Sequence, residues 1–267
     1  MERLDKLIAN SGTLSRKEVQ KLIKSGEVRV NGVPVRDRGF TVDPETVSVT
    51  VGGEELNLKK YVYIMLNKPE GVVSAARDDR EKTVIDLVPE ELKKKNLFPA
   101  GRLDRNTTGF VLITDDGDFA HRILSPKNHV EKTYEARLAE PIDALSLGKI
   151  ADGITLGDGT ECLPAKLKVL EDGKNPLVEV KICEGKYHQI KRMFAAAGNA
   201  VIALKRVQIG GLPLDSTLKE GECRVLTEEE IRAIETDVDQ QIEECCRFAL
   251  ESPEPDVSEL MTDIFAE

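Results

Sequence analysis

Apolar residues at every second position dominate the middle of this chain. Tyr134, Ala136 and Leu138 share one side of an extended segment, and Ala165, Leu167, Val169 and Val178, Val180, Ile182 repeat the pattern. A period of two marks a strand with one buried face. Few long helical stretches separate these segments, so parallel crossovers are scarce and most pairing must be antiparallel. The expected class is α+β with a mainly antiparallel mixed sheet. Tyr61–Leu66, Phe110–Thr114, Ala200–Leu204 and Arg206–Ile209 read as further strands, and Asn67-Lys68-Pro69-Glu70-Gly71 reads as the break after the first. Cys223-Arg224-Val225-Leu226 closes this core.

The first 26 residues follow a helical period instead. Leu4, Leu7 and Ile8 form one apolar stripe, and Val19, Leu22 and Ile23 form a second. Ser15-Arg16-Lys17-Glu18 has the form of a capping box, so a helix is expected to start near Arg16 and to stop at Gly26. Its polar face carries Arg16, Lys17, Lys21 and Lys24. Asn31-Gly32, between Val28-Arg29-Val30 and Val33-Pro34-Val35, is a hairpin signal. The whole reads as helix, helix and small sheet with one basic face.

The formal net charge of −10 argues against a polyanionic partner only until its distribution is seen. Residues 227–267 hold 14 acidic and 2 basic side chains, so the acidity belongs to a tail. Residues 1–38 hold 9 basic against 5 acidic, the local excess that reads phosphate backbones. No apolar run approaches the roughly 18 residues of a membrane span, and charges in the first turns leave no apolar core for a signal peptide. A cytoplasmic protein with no membrane partner is expected. The cysteines number five and form no C-x-x-C, and only His121, His129 and His188 are present, so reduced thiols and no metal site are expected. Asp115-Asp116-Gly117-Asp118 fails the calcium-loop pattern and reads as a turn.

Pro99 to Gly109 places Asp104 between Arg102 and Arg105 on a loop feeding the apolar run from Phe110. By itself the stretch reads as a capped turn. Its other reading is a reacting carboxylate, kept charged by cations and presented by a rigid strand. Glu184 to Phe194 carries a second polar cluster. Ile190, Met193, Phe194 and Ala197 make one helical stripe, and His188 and Lys191, three apart, point another way. Thr227-Glu228-Glu229-Glu230 is a further capping box, opening a helix striped by Ile231, Ile234, Val238, Ile242, Cys245 and Ala249. Beyond the Pro253 break, 258–266 could add a last amphipathic turn or two.

Arg3-Leu4-Asp5-Lys6-Leu7, Ser15-Arg16-Lys17-Glu18 and Gly26-Glu27-Val28-Arg29-Val30-Asn31-Gly32 together resemble the S4-type RNA-binding module. Behind it, Gly101-Arg102-Leu103-Asp104, Lys132-Thr133-Tyr134 and Glu184-Gly185-Lys186-Tyr187-His188-Gln189-Ile190-Lys191-Arg192-Met193 occur in order. This combination resembles RNA pseudouridine synthases of the RsuA-like family over about residues 1–231. The resemblance implies flanking helices, a central cleft and isomerisation of a uridine in RNA, with no cofactor and no metal. Carried over residue by residue, the catalytic aspartate is Asp104, the active-site tyrosine is Tyr134 and the basic partner of the aspartate is Lys191. Many synthases have arginine at that last position, and lysine pairs with a carboxylate only as a point charge. Arg102 maps onto the arginine that displaces the target base. Expected RNA contacts are Arg102, Arg3, Ser15, Arg16, Lys17, Lys21, Lys24, Arg29, Asn31, His188, Gln189 and Arg192.

The Lys186–Phe194 stretch is most similar to the small-subunit ribosomal RNA branch, which makes ribosomal RNA or a ribosomal assembly intermediate the expected partner of a monomer. A large-subunit substrate and a non-catalytic RNA-binding or assembly factor on the same fold are the other readings. A glycosidase-like hydrolase needs a second, opposed carboxylate that the sequence does not offer. The expected division is an S4-like unit over 1–52, a linker over 53–60, a catalytic domain over 61–231 and an acidic helix and tail over 232–267.

Overall fold

The structure, a computed structural model, describes residues 2–10, 14–43, 47–56, 61–94, 96–125 and 128–234. The chain begins with β1 (Glu2–Arg3), α1 (Leu4–Asn10), α2 (Arg16–Ser25), β2 (Val28–Val30), β3 (Val33–Pro34), β4 (Thr41–Val42), β5 (Val49–Val51) and β6 (Glu54–Leu56). β3, β2, β5 and β6 form an antiparallel sheet in that order, and β1 pairs with β4. Leu4, Leu7, Ile8, Val19, Ile23, Val28 and Val49 make its core. The helix limits follow from local chemistry. Glu18 accepts from the Ser15 N–H at 2.8 Å while the Ser15 hydroxyl accepts from the Glu18 N–H at 3.4 Å, which starts α2 at Arg16. Gly26, at φ 83°, ends it.

Asp5 gathers this unit. Its carboxylate is fully buried and accepts from Arg3 and Arg16 at 3.1 Å and from Gln20 at 2.7 Å. Burial alone would raise its pKa. The hydrogen bonds from Arg3, Gln20 and Arg16 outweigh burial and hold the carboxyl well below the usual range.

The linker expected at 53–60 is corrected at its start. Residues 54–56 are β6, paired with β5 across a Gly52-Gly53 turn in which both glycines have positive φ.

The second sheet contains β7 (Tyr63–Lys68), β8 (Phe98–Ala100), β9 (Thr108–Thr114), β10 (Lys132–Leu138), β11 (Lys166–Glu171), β12 (Leu177–Ile182), β13 (Val201–Ile209), β14 (Leu212–Pro213) and β15 (Cys223–Val225). Its order is β11-β12-β10-β13-β9-β7-β15, with β14 on β13 and β8 on β9. Every pair is antiparallel except β9 with β13, so the expected mainly antiparallel mixed sheet is what forms. Helices α3 (Gly117–Leu124), α4 (Ala144–Ala151) and α5 (Gln189–Ala196) complete it, with single 3-10 turns at Ile85–Leu87 and Glu90–Leu92.

The central strands read as unbroken apolar runs because both their faces are covered. Ile64, Leu66, Val111 and Ile113 pack with Ile190, Met193 and Phe194 of α5. Met65, Phe110 and Leu112 pack the other way, with Phe119, Ala120 and Ile123 of α3. Each such large side chain contributes about 1.5–3 kcal/mol on burial, an upper figure because the unfolded chain already hides some of it.

Three local expectations change. β7 runs through Asn67 and Lys68 rather than stopping before them: both side chains are buried, the Asn67 amide nitrogen donating to the Leu218 carbonyl and the Lys68 ammonium to the Thr107 carbonyl. The two strands expected over 200–209 are one, β13. The helix α4 was not anticipated. The Thr227 capping box does form, with Thr227 N–H to Glu230 at 2.8 Å and Glu230 N–H to the Thr227 hydroxyl at 3.2 Å, and residues 228–234 are helical. The remainder of that helix, and the turns expected over 258–266, lie outside the described residues. Among those residues no helix is long and apolar enough to cross a membrane.

The parallel joint depends on a glycine. Arg206 lies beside Gly109 in the β9–β13 register, and Gly109 has φ +98°. A Cβ there would strike the Arg206 carbonyl oxygen and lie 2.9 Å from its nitrogen. Gly109→Ala should therefore combine backbone strain with a main-chain clash, destabilising the protein by about 3 kcal/mol or more. Urea unfolding followed by the fluorescence of the tyrosines, with soluble yield, checks this.

Candidate active site

The loop between β8 and β9 spans residues 101–107. Its Leu103 is buried and exchanges two hydrogen bonds with Ser74: the N–H donates to the hydroxyl at 3.0 Å, and the hydroxyl donates to the carbonyl at 2.9 Å. The Thr107 N–H closes a turn on the Asp104 carbonyl at 3.0 Å. Beneath the loop lies Lys68, fully buried at the end of β7. Its ammonium donates to the carbonyls of Thr107, Pro69 and Arg105 at 2.9, 3.1 and 3.2 Å. Three donors meet three acceptors, which is what lets a cation sit there. Burial pushes this amine down to about 8, against the opposing pull of the Asp104 charge.

Asp104 projects from that braced loop with its side chain 25% exposed. α5 and the residue just before it supply its partners. Lys191 Nζ lies 3.1 Å from Oδ2 and also donates to Asn106 Oδ1 at 2.6 Å. His188 Nε2 lies 3.4 Å from Oδ1. The inward stripe of Ile190, Met193 and Phe194 fixes the helix, so His188 and Lys191 are left to face the loop.

Tyr134, on β10, is buried in the cluster that also contains Leu103 and Ile190, the neighbours of Asp104 and Lys191 in sequence. Across the strand pair it faces Arg206. The Arg206 guanidinium lies 5.9 Å from the Tyr134 ring centroid, and its Nε donates to the Phe110 carbonyl at 2.7 Å. Arg102 is exposed on the loop, two residues before Asp104. Arg105, the other flanking arginine, turns to Glu81 at 3.0 Å and to the Gly71 carbonyl.

The structure thus brings Asp104, Lys191 and His188 into direct contact and places Tyr134 in the adjoining cluster. Lys17, Lys21 and Lys24 are exposed along one side of α2. Arg3 and Arg16 are half-exposed while bound to Asp5. Arg29 is exposed and donates to the Gly32 carbonyl.

Gln189 is a correction. It is only 4% exposed, its amide nitrogen donates to buried Glu184 and its oxygen accepts from the Lys186 N–H, so neither end is available to RNA. Ser15 serves as the α2 cap. Asn31 sits at φ 50° in the hairpin turn and accepts from the Ser48 N–H at 2.9 Å, so both serve the fold. Arg192 is engaged by Asp158 and by the Tyr187 carbonyl.

Sequence reasoning missed Lys68, Asn106 and Arg206. A lysine closing a six-residue apolar run, and an arginine between two apolar runs, were the available signals.

A family profile for RNA pseudouridylate synthases matches residues 62–196, and one for the S4 domain matches residues 2–48. The chain belongs to the RNA pseudouridylate synthase family. An RNA pseudouridine synthase of Bacillus subtilis, YtzG, is 47% identical over 87% of this chain and 98% of its own length. Ribosomal small subunit pseudouridine synthase A of Vibrio cholerae is 46% identical, and that of Escherichia coli 42%, each over 87% of this chain and 99% of its own length. A crystal structure of a pseudouridylate synthase superposes with a TM-score of 0.61 at 42% identity, covering 88% of this chain and all of that one.

For this synthase, Lys68 offers a test of how the loop is held. Lys68→Met leaves three carbonyls without their donor, and the resulting drift of Asp104 should cut turnover about a hundredfold. Above pH 8 the folded protein sheds the Lys68 proton, while the unfolded chain keeps it to about 10.5. The unfolded state then binds more protons, so this group makes stability rise with pH over that window. Wild type should gain stability relative to Lys68→Met between pH 8 and 10, measured by urea unfolding of both proteins at each pH.

Proposed function

We propose that this synthase isomerises one uridine of small-subunit ribosomal RNA to pseudouridine, with Asp104 as the catalytic carboxylate. The observation that carries the reading is Asp104 itself: a carboxylate on a braced loop, held by Lys191 on one oxygen and met by His188 on the other. The small-subunit substrate is supported by the Vibrio cholerae and Escherichia coli relatives, whose names state it.

The chemistry asks for these residue types. The C1′–N1 bond breaks, the uracil turns, a C1′–C5 bond forms, C5 loses its proton and N1 gains one. Every atom of the product but the exchanged proton comes from the substrate, and no electrons are exchanged with another molecule. A folded-RNA uridine must first leave its stack. Arg102, exposed beside Asp104, fills the vacated space by stacking and contacting phosphate. Tyr134 stacks on the extruded uracil and handles the C5 proton. Lys191 stays paired with the Asp104 carboxylate as the cleft loses water, and the closed cleft retains the freed uracil, whose escape would leave an abasic site. His188 lines the same cleft. Lys17, Lys21 and Lys24 of α2 grip phosphates, so the salt dependence of binding should come largely from them.

A cytoplasmic monomer acting on ribosomal RNA or an assembly intermediate completes this reading. The S4-like unit ends at Leu56, where its sheet ends, and the catalytic domain starts at 61.

Tritium release from small-subunit rRNA transcripts labelled at uridine C5 tests the assignment. Wild type should release tritium, and Asp104→Ala should be slowed at least a thousandfold with unchanged unfolding. Equal release by both would remove Asp104 from the chemistry. Mapping pseudouridine in a deletion strain should show one small-subunit position lost; loss of a large-subunit position instead would overturn the substrate.

A further inference from the structure

Tyr187 has no place in the mechanism above, yet it is the most exposed aromatic side chain among the described residues, at 74%. A ring that served packing would be buried, with a gain of a few kcal/mol. Instead Tyr187 lies flat on the His188 imidazole, with ring centroids 3.8 Å apart and planes 19° from parallel. That imidazole is the one whose Nε2 reaches Asp104. The outer face of the tyrosine is therefore a flat π surface, one ring removed from the catalytic carboxylate.

The segment carrying this pair is held from several sides. Glu184 is buried, accepts from the Leu163 N–H at 2.9 Å and pairs with Lys186 at 2.6 Å. The Lys186 N–H is fixed by Gln189 at 3.0 Å. Arg192 holds the Tyr187 carbonyl at 3.2 Å and is anchored in turn by Asp158. His188 keeps a left-handed backbone at φ 49°, which a non-glycine residue adopts at a cost unless its surroundings enforce it. An ordered, exposed ring loses little further freedom on binding, which favours tight stacking.

We propose that the outer face of the Tyr187–His188 stack is the docking platform for the nucleobase next to the target uridine. This deepens the reading of the cleft as a uridine-isomerising site and rests on it. Extruding a uridine from folded RNA breaks its stacking with both flanking bases; Arg102 covers the face of one, and the face of the other needs a new partner. An aromatic ring beside the cleft supplies one without regard to base identity, because every base has a π face. Tyr187 is thus a positioning residue for RNA: it holds the strand at the cleft while Asp104 acts.

The test uses the full chain and a small-subunit rRNA fragment containing the mapped uridine, with 2-aminopurine replacing the nucleotide on either side in turn. Wild type should quench 2-aminopurine at one of the two positions. Tyr187→Leu should lose that quenching and raise the RNA concentration for half-maximal tritium release about tenfold, the size of one base–aromatic stack. Its rate at saturating RNA should fall less than threefold. Tyr187→Phe should restore both readouts. Thermal melting of each variant should match wild type, as expected for a side chain in solvent. Unchanged quenching and half-saturation in Tyr187→Leu would overturn the platform. So would a slowed saturated rate with unchanged half-saturation, which places the ring in the chemistry instead. If wild type releases no tritium, the isomerase reading falls; if wild type turns over and Tyr187→Leu matches it, only the platform does.

Discussion

The parallel pairing of β9 with β13 is the constraint on which the site depends. Two neighbouring strands that run the same way begin at the same end of the sheet. The Asp104 loop precedes β9 and α5 precedes β13, so the carboxylate and its lysine arrive together from positions 87 residues apart in sequence. An antiparallel β13 would start at the far end of β9, roughly 20 Å away for a seven-residue strand. The antiparallel β10 then sets Tyr134 across from Arg206, so Gly109, Arg206 and Tyr134 lie in line over three adjacent strands. Gly109 makes the close approach possible, which ties one backbone position to the placement of the whole site.

Holding the loop is a separate problem, because a short loop at a sheet end exposes carbonyls to an interior that has no water to bind them. Lys68 answers for two of them, at Arg105 and Thr107, and Ser74 bonds both the N–H and the carbonyl of Leu103. A buried ammonium is unfavourable by itself, and it persists because every proton is donated. The same cation stands behind Asp104 and adds to the positive field of Lys191. The support of the loop and the electrostatics of the carboxylate are therefore partly one interaction.

Much of this was legible in the chain, for identifiable reasons. The α2 boundaries, the Asn31-Gly32 turn and the Thr227 cap are short-range devices whose partners lie within a few residues. The strands over 132–138 and 177–182 show their period because one face of each is wetter than the other. Family resemblance, not pattern, marked Asp104 and Lys191 as partners, and the geometry pairs them. What could not be read depended on contacts distant in sequence. Lys68 looked like the end of a strand because hydropathy cannot distinguish a satisfied buried ammonium from a solvated one. Gln189 looked like an RNA contact because it stands among basic residues, although its amide is turned inward to Glu184. Arg206 read as the start of a second strand, when it lies in the middle of one, its side chain buried and donating to the Phe110 carbonyl.

A lysine opposite the Asp104 carboxylate raises the question of geometry, since a single ammonium cannot clasp both oxygens as a guanidinium fork does. The site distributes that task. Lys191 takes Oδ2 and is itself oriented by Asn106, which leaves its ammonium less free to swing than a lysine bound at one point. His188 approaches Oδ1 from the residue just before α5, where the backbone is left-handed. Lys191 on α5 and His188 just before it are both placed by this helix, whose inner face is locked by Ile190, Met193 and Phe194, so the carboxylate is oriented by packing as much as by charge. Orientation of Asp104 in this synthase is thus a property of a helix docked on a sheet, and core substitutions beneath α5 bear on the placement of a carboxylate they do not touch.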